Sequence, residues 1–129
     1  MLIRKIVLGV CGGIAAYKVP LFIRLLKKNE IDVKVVLTKN AHEFVTKTTI
    51  ETLTQEVCLT ELFAEKINLP HLVPEQTADL FVIAPATANV LAKVACGIAD
   101  DLLTSAFLAF EGRKLVVPAM NKGMYNNVV

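Results

Sequence analysis

The sequence predicts an α/β fold with a doubly wound parallel sheet in a single domain. Four apolar runs rich in β-branched residues are typical of strands buried on both faces of a sheet. Helix-like segments separate these runs, and this alternation favours βαβ units. The length of 129 residues suits one compact domain, and no repeat, linker or low-complexity tract divides the chain.

The first half of the chain predicts two strands and two helices. Residues 3–10 are nearly continuous in apolar character and predict the first strand. Apolar side chains recur at helical spacing over residues 14–28, which predicts a helix. Residues 31–37 predict the second strand, residues 40–54 a poorly periodic helix, and residues 57–59 a candidate short strand.

The second half predicts two more strands and two more helices. Residues 61–77 carry no readable pattern, and residues 80–84 then predict a strand. Helices are predicted over residues 88–96, which a glycine follows, and over residues 100–110. Residues 115–117 predict the last strand. The carboxyl ends of parallel strands meet at one edge of the sheet, so the turns after these strands are expected to form a ligand crevice.

Composition excludes several classes of protein. The net charge of +2 is too small and scattered to favour nucleic acid, and no apolar run is long enough for a membrane span. Cys11, Cys58 and Cys96 have spacings of neither a metal site nor a disulfide framework, so a cytoplasmic location is expected. The 54% of hydrophobic residues predicts apolar surface and favours self-association, with an oily monomer as the alternative.

The first two turns favour a bound phosphate. Gly12 and Gly13 lie between a strand and a helix start, where the backbone can approach an anion closely. Nicotinamide dinucleotide folds usually place Asp or Glu in the second turn, but this chain has Thr38, Lys39 and Asn40 there. The two turns therefore favour a mononucleotide. The alternatives are a tight turn without ligand and a helix cap made by Thr38 and Asn40.

The third and fourth turns offer polar groups beside small residues. Thr87 and Asn89 can donate hydrogen bonds to a flat ring, although Thr87 also suits a helix N-cap. Asn121 follows the last strand and supplies an amide, while Met120 and Met124 are more often core filler.

Two further groups of titratable residues have a plainer interpretation. A lone histidine such as His71 is more often structural than catalytic. Asp100 and Asp101 resemble a carboxylate pair, but their place in the first turn of a predicted helix favours interaction with the helix dipole.

Five segments in order resemble the homo-oligomeric flavin-containing cysteine decarboxylases. The resemblance runs from about residue 3 to about residue 127 and rests on Gly12-Gly13-Ile14-Ala15-Ala16-Tyr17-Lys18, His71, Pro85-Ala86-Thr87-Ala88-Asn89, Gly97-Ile98-Ala99-Asp100-Asp101-Leu102-Leu103-Thr104 and Pro118-Ala119-Met120-Asn121. It implies a three-layer, Rossmann-like or flavodoxin-like fold that binds flavin mononucleotide (FMN). It also implies a homotrimer, sometimes assembled into a homododecamer.

The resemblance also implies roles for individual residues. His71 is expected to be catalytic, and Asn121, Met124 and Ala119 are expected to bind substrate. The residues expected to contact FMN are Gly12, Gly13, Ile14, Thr38, Asn40, Thr87, Ala88, Asn89, Val90 and Ala119.

The activity implied is FMN-dependent decarboxylation of phosphopantothenoylcysteine to phosphopantetheine in coenzyme A biosynthesis. The alternatives are oxidative decarboxylation of a peptide's C-terminal cysteine and a non-catalytic FMN-binding or regulatory subunit. Val90 stands where the family usually has Thr, and Tyr125 where it has Trp. Residues 1–129 are expected to form the flavoprotein domain without the substrate flap and its cysteine.

Overall fold

The computed structural model describes residues 2–61 and 78–128. Its centre is a sheet of four parallel strands in the spatial order β2-β1-β3-β4. The strands are β1 (Lys5–Val10), β2 (Asp32–Leu37), β3 (Leu80–Ala86) and β4 (Arg113–Pro118). The chain runs from β1 to β2 on one side and then returns to the other side for β3. The order therefore reverses between β1 and β3, where ligands bind in such sheets.

Helices cover both faces of this sheet. The α-helices are α1 (Val19–Lys28), α2 (Lys47–Thr54), α3 (Ala88–Cys96), α4 (Leu102–Ala109) and α5 (Lys122–Tyr125), and 3-10 helices span Ile14–Lys18 and Lys39–Glu43. Residues of α1 and α2 share one apolar core with β1 and β2, whereas residues of α3 and α4 share a second core with β1 and β3. The predicted three-layer, doubly wound fold is confirmed.

Side-chain alternation in the strands separates the two cores. In β1, Leu8 packs in the first core and Val7 in the second, and both are fully buried. In β3, Val82 packs in the first core and Phe81 in the second. Successive strand residues face opposite sides, so a strand buried on both faces needs apolar residues at every position.

The predicted helices differ from the observed ones near their starts. The segment predicted as one helix over residues 14–28 begins as the 3-10 helix and becomes α-helical only at Val19. The helix predicted over residues 40–54 is two helices, because Thr46 accepts a hydrogen bond from the Thr49 N–H at 3.1 Å and starts α2 afresh. The candidate strand at residues 57–59 is a single bridge between Leu59 and Val36.

Asp100 and Asp101 were predicted to lie in the first turn of a helix, and this prediction is wrong, because both precede the first turn of α4. Asp101 is the N-cap residue, and its carboxylate accepts a hydrogen bond from the Thr104 N–H at 2.7 Å. The Thr104 hydroxyl accepts one from the Asp101 N–H at 3.2 Å, which completes a capping box. Asp100 lies outside the helix and pairs with Lys93 at 3.0 Å. Both acids therefore have structural partners.

The outer surface carries exposed apolar side chains. Ile14 and Tyr17 of the first 3-10 helix are 74% and 59% exposed, and Leu21 in the first turn of α1 is 63% exposed. In β4 only Val116 is half-buried, and the other five residues are exposed. No helix within the described ranges is both long enough and apolar enough to cross a membrane.

The second core is organised around Phe81. Its side chain is fully buried, and its ring meets Phe107 and Phe110 of the α4 region edge to face at centroid distances of 5.3 and 5.6 Å. These contacts fasten α4 to the centre of the sheet.

We expect Phe81→Ala to lower the free energy of unfolding by about 3–5 kcal/mol, because it leaves a cavity among the aromatic rings. Leu108→Ala is the control, since Leu108 lies on α4 and is 55% exposed. We expect this variant to lower the free energy of unfolding by about 0.5 kcal/mol or less. Urea denaturation followed by circular dichroism measures both. Equal losses for the two variants would contradict this assignment of the core.

Candidate functional site

A cleft of about 750 Å³ lies at the carboxyl ends of β1, β3 and β4. Clefts of about 300–1,000 Å³ are typical of small-molecule sites. The described residues that line it are Gly12, Gly13, Ile14, Ala15, Thr87, Ala88, Asn89, Ala119, Met120, Asn121 and Met124. None of these lining residues carries an ionisable side chain. The cleft therefore suits a ligand held by backbone and amide groups against small apolar side chains.

The first turn lies close to both neighbouring turns. A Cβ atom on Gly12 would collide with Asn40, at 2.7 Å from its carbonyl carbon and 2.9 Å from its carbonyl oxygen. A Cβ atom on Gly13 would lie 3.8 Å from the Thr87 Cγ2, which is an ordinary contact. The absence of a side chain at Gly12 thus lets the second turn pack against the first.

Main-chain hydrogen bonds hold the turns in place. The Cys11 N–H donates to the Pro85 carbonyl at 3.3 Å, which ties the first turn to the third. The Thr38 N–H donates to the Val10 carbonyl at 3.1 Å, and the Ala119 N–H donates to the Ala86 carbonyl at 3.1 Å. The cleft is consequently built on the sheet itself, which favours a preformed site.

The third turn starts α3 at the floor of the cleft. The Thr87 hydroxyl accepts a hydrogen bond from the Val90 N–H at 3.3 Å, so the predicted N-cap is confirmed. The N–H groups of Ala88 and Asn89 are in the first turn of this helix, where no intrahelical acceptor exists. They are available to a ligand together with the positive end of the helix dipole.

The fourth turn presents the Asn121 side chain in a fixed orientation. Its carbonyl oxygen accepts a hydrogen bond from the Gly123 N–H at 2.8 Å. This contact fixes which end of the amide faces Gly123, so the NH₂ group, which can only donate, faces away from it. Met124 lies one turn further along α5 and lines the same cleft. This arrangement suits a carboxylate.

The structure brings together most of the residues that the sequence indicated. Of the predicted FMN and substrate contacts, those lining the cleft are Gly12, Gly13, Ile14, Thr87, Ala88, Asn89, Ala119, Asn121 and Met124. Ala15 and Met120 also line it and had been assigned no contact. Ala15 belongs to the Gly12–Lys18 segment and Met120 to the Pro118–Asn121 segment, both of which carry the family resemblance. Their position beside predicted site residues on the same turns could have indicated that they line the cleft.

Three predicted residues do not line the cleft, and a fourth, His71, is not among the described residues. Thr38 is 8% exposed and caps the following 3-10 helix by accepting from the Ala41 N–H at 3.3 Å, as the alternative interpretation had it. Asn40 is exposed beside the first turn. The Val90 side chain is 4% exposed and packs in the second core, and its backbone N–H donates to the Thr87 hydroxyl.

The two buried cysteines are poor nucleophiles. Burial raises the pKa of the Cys11 thiol to about 11, with a further rise from the Asp101 charge and a partial offset from hydrogen bonding to Thr87. Burial and the Glu51 carboxylate raise the pKa of Cys58 to about 12. Both thiols are therefore protonated near neutral pH. In the described part of the chain, no cluster of three or more His, Cys, Asp or Glu could hold a metal.

We expect Gly12→Ala to lower the free energy of unfolding by about 1–3 kcal/mol, because its new methyl group meets the main chain of Asn40. Gly13→Ala is the matched control, since Gly13 has an extended backbone and open space for a methyl group. We expect it to change stability by about 0.5 kcal/mol or less. Thermal and urea unfolding of the ligand-free protein measure both, and a Gly13→Ala variant that is the less stable of the two would contradict the packing described.

Comparison with known proteins places this geometry in a family. The Flavoprotein family matches residues 1–129. The coenzyme A biosynthesis bifunctional protein CoaBC of Vibrio vulnificus (strain YJ016) is 42% identical over 127 residues, which cover 97% of this chain and 32% of that protein. The chain thus spans about a third of the length of this curated relative.

Solved structures agree with this result. The FMN-dependent cysteine decarboxylase SpaF superposes with a TM-score of 0.90 at 34% identity, over 97% of this chain and 73% of that one. The PPC decarboxylase mutant C175S complexed with pantothenoylaminoethenethiol superposes with a TM-score of 0.80 at 31% identity, over 98% and 72% of the two chains. The resemblance to flavin-containing cysteine decarboxylases is confirmed, and the chain belongs to the Flavoprotein family.

Proposed function

We propose that this chain binds FMN and decarboxylates phosphopantothenoylcysteine to phosphopantetheine in coenzyme A biosynthesis. The observation that carries the proposal is the cleft at the strand-order reversal, with small residues along its walls and the oriented Asn121 amide at one end. The similarity to CoaBC over 97% of the chain supports the substrate. The likeness to FMN-dependent cysteine decarboxylases supports the cofactor and the reaction class.

The residues present fit FMN. The side chains of Ala15, Ala88 and Ala119 are small enough for a flat ring to lie against the backbone of the cleft. The single phosphate of FMN would be held by the backbone of Gly12 and Gly13 together with N–H groups in the first turn of α3. When bound, FMN would accept the electron pair that leaves the thiol-bearing carbon of the substrate, which makes loss of the neighbouring carboxylate feasible, and would return that pair to give the saturated thiol.

The protein's own residues orient the substrate. The Asn121 NH₂ group donates to the substrate carboxylate while its oxygen stays bound to the Gly123 N–H. None of the described residues that line the cleft carries a charged side chain, so among them the carboxylate meets the neutral Asn121 donor and no cation. This favours release of carbon dioxide, because strong ground-state binding of the carboxylate would raise the barrier. His71 is proposed to assist thiol activation or hold the substrate.

We further propose that the protein acts in the cytoplasm as a homo-oligomer, as a trimer or a larger assembly of trimers. Exposed Ile14 lines the cleft and continues into exposed Tyr17 and Leu21, so an apolar surface begins at the site itself. Burying such a surface against another copy would stabilise the assembly through the hydrophobic effect.

A second candidate substrate is a peptide with a C-terminal cysteine. SpaF is an FMN-dependent cysteine decarboxylase, and its TM-score of 0.90 supports the reaction class that both substrates share. Mass spectrometry of the products from both substrates separates the two activities. A protein that carries flavin but releases carbon dioxide from neither would instead be a non-catalytic FMN-binding or regulatory subunit.

We expect His71→Asn to keep the visible flavin absorbance of the purified protein and to stop carbon dioxide release from phosphopantothenoylcysteine. The substitution retains a polar side chain but removes a group that can exchange a proton near neutral pH. His42→Asn is the control, since it makes the same change at an exposed site beyond the cleft. Unchanged turnover in His71→Asn would remove this residue from the mechanism.

We expect Asn121→Asp to lower kcat/KM by about 100-fold, because it replaces the donor NH₂ with an oxygen that repels the substrate carboxylate. Asn126→Asp makes the same chemical change at an exposed position one turn away, which does not line the cleft. Steady-state assays of carbon dioxide release measure both variants. An Asn121→Asp enzyme with wild-type kcat/KM would show that the amide does not bind the carboxylate.

A further inference from the structure

A second, smaller pocket of about 180 Å³ adjoins the main cleft. It lies between α1 and the carboxyl ends of β3 and β4, and it shares Ala15 and Ala119 with the cleft. The described residues that line it are Ala15, Lys18, Val19, Phe22, Ala84, Pro85, Val117 and Ala119. The proposed function assigns no part of the substrate to this pocket.

The pocket combines apolar walls with one charged residue. Phe22, Val19 and Val117 supply aromatic and branched aliphatic surface, which suits a compact branched hydrocarbon group. Lys18 is the sole ionisable residue among the described lining, and its side chain is exposed. A long lysine side chain can cover apolar surface with its methylene groups while its ammonium group stays at the rim.

The Lys18 ammonium group lacks a carboxylate partner. In the described part of the chain, ion pairs engage Lys27, Lys34 and Lys93 but not Lys18. The Lys18 Nζ atom lies 5.8 Å from the centroid of the neighbouring Tyr17 ring, which is a weak cation–π interaction at an exposed site. The cation is therefore available to an anion without first breaking an ion pair.

We infer that this pocket is the subsite for the part of the substrate farthest from its cysteine. A branched aliphatic segment lies against Phe22 and Val117, and a terminal phosphate monoester contacts Lys18. This inference rests on the proposed function and names how the same site selects its substrate. The described lining of the main cleft holds no cation, so a second phosphate beside that of FMN needs a charged partner outside it.

The opposite rim offers a cation for comparison. Lys122 is the first residue of α5, next to Asn121, and it is also exposed. It does not line the small apolar pocket. Charge alone would make Lys18 and Lys122 equivalent, whereas the inferred subsite assigns the phosphate to Lys18.

The first experiment measures binding to the FMN-loaded full chain by isothermal titration calorimetry. The probes are 4′-phosphopantothenate and pantothenate, which differ by the phosphate monoester and lack the reacting cysteine. We expect the wild-type protein to prefer the phosphorylated probe by about 10- to 100-fold. Lys18→Gln should abolish this preference without changing the affinity for pantothenate, and Lys122→Gln should retain it. Retention of the preference in Lys18→Gln, or its loss in Lys122→Gln, would overturn the assignment.

The second experiment tests the apolar wall with a pair of variants on one strand. Val117 and Leu115 lie two residues apart on the same face of β4 and are 44% and 49% exposed, but only Val117 lines the pocket. We expect Val117→Phe to weaken both probes by about 10-fold through lost space, and Leu115→Phe to leave both affinities unchanged. Circular dichroism and flavin absorbance verify folding. Wild-type affinities in Val117→Phe would refute the subsite.

Failure of this inference can be distinguished from failure of the proposed function. Carbon dioxide release from phosphopantothenoylcysteine, together with equal phosphate preference in wild type and Lys18→Gln, overturns the subsite alone. The expected binding pattern without carbon dioxide release supports the subsite and overturns the proposed reaction.

Discussion

The cleft depends on the parallel pairing of β1 with β3, where the strand order reverses. The last pair in this register joins Gly9 to Ile83, and the Cys11 N–H then donates to the Pro85 carbonyl. Beyond that point the helices that follow the two strands leave toward opposite faces of the sheet. The backbone of two adjacent turns is left facing a space that no helix fills, and Gly12 keeps the neighbouring turn close to that space.

Strands and site turns could be predicted because both depend on short stretches of sequence. Residues 31–37 and 80–84 are apolar enough to be buried on both faces, and parallel strands necessarily bring their carboxyl ends to one edge. The Asn121 amide was predictable as a site group for this reason. Its orientation was not, since it depends on the Gly123 N–H in a short helix that has no readable periodicity.

Other features could not be predicted because tertiary packing decides them. The start of the first helix is 3-10, with Ile14 and Tyr17 exposed, although residues 14–28 had been predicted as one helix. Val90 directly follows the Pro85–Asn89 motif and was predicted to contact FMN, yet its side chain completes the second core. A sequence motif thus states which segment reaches the site, and packing decides which of its atoms face the ligand.

The described residues that line the cleft carry no ionisable side chain, which constrains how this part of the site can work. Backbone N–H groups at the start of α3 attract an anion through fixed dipoles that do not titrate, so their contribution persists across pH. Burial keeps Cys11 protonated beneath the first turn, which removes a competing nucleophile and a negative charge from beside the turn proposed to receive the phosphate. Charge is then left to the rim, where Lys18 is free of ion pairs among the described residues. Among the described residues, neutral walls with a cation at the rim would orient an anionic ligand by its ends and leave its reacting centre in an apolar environment.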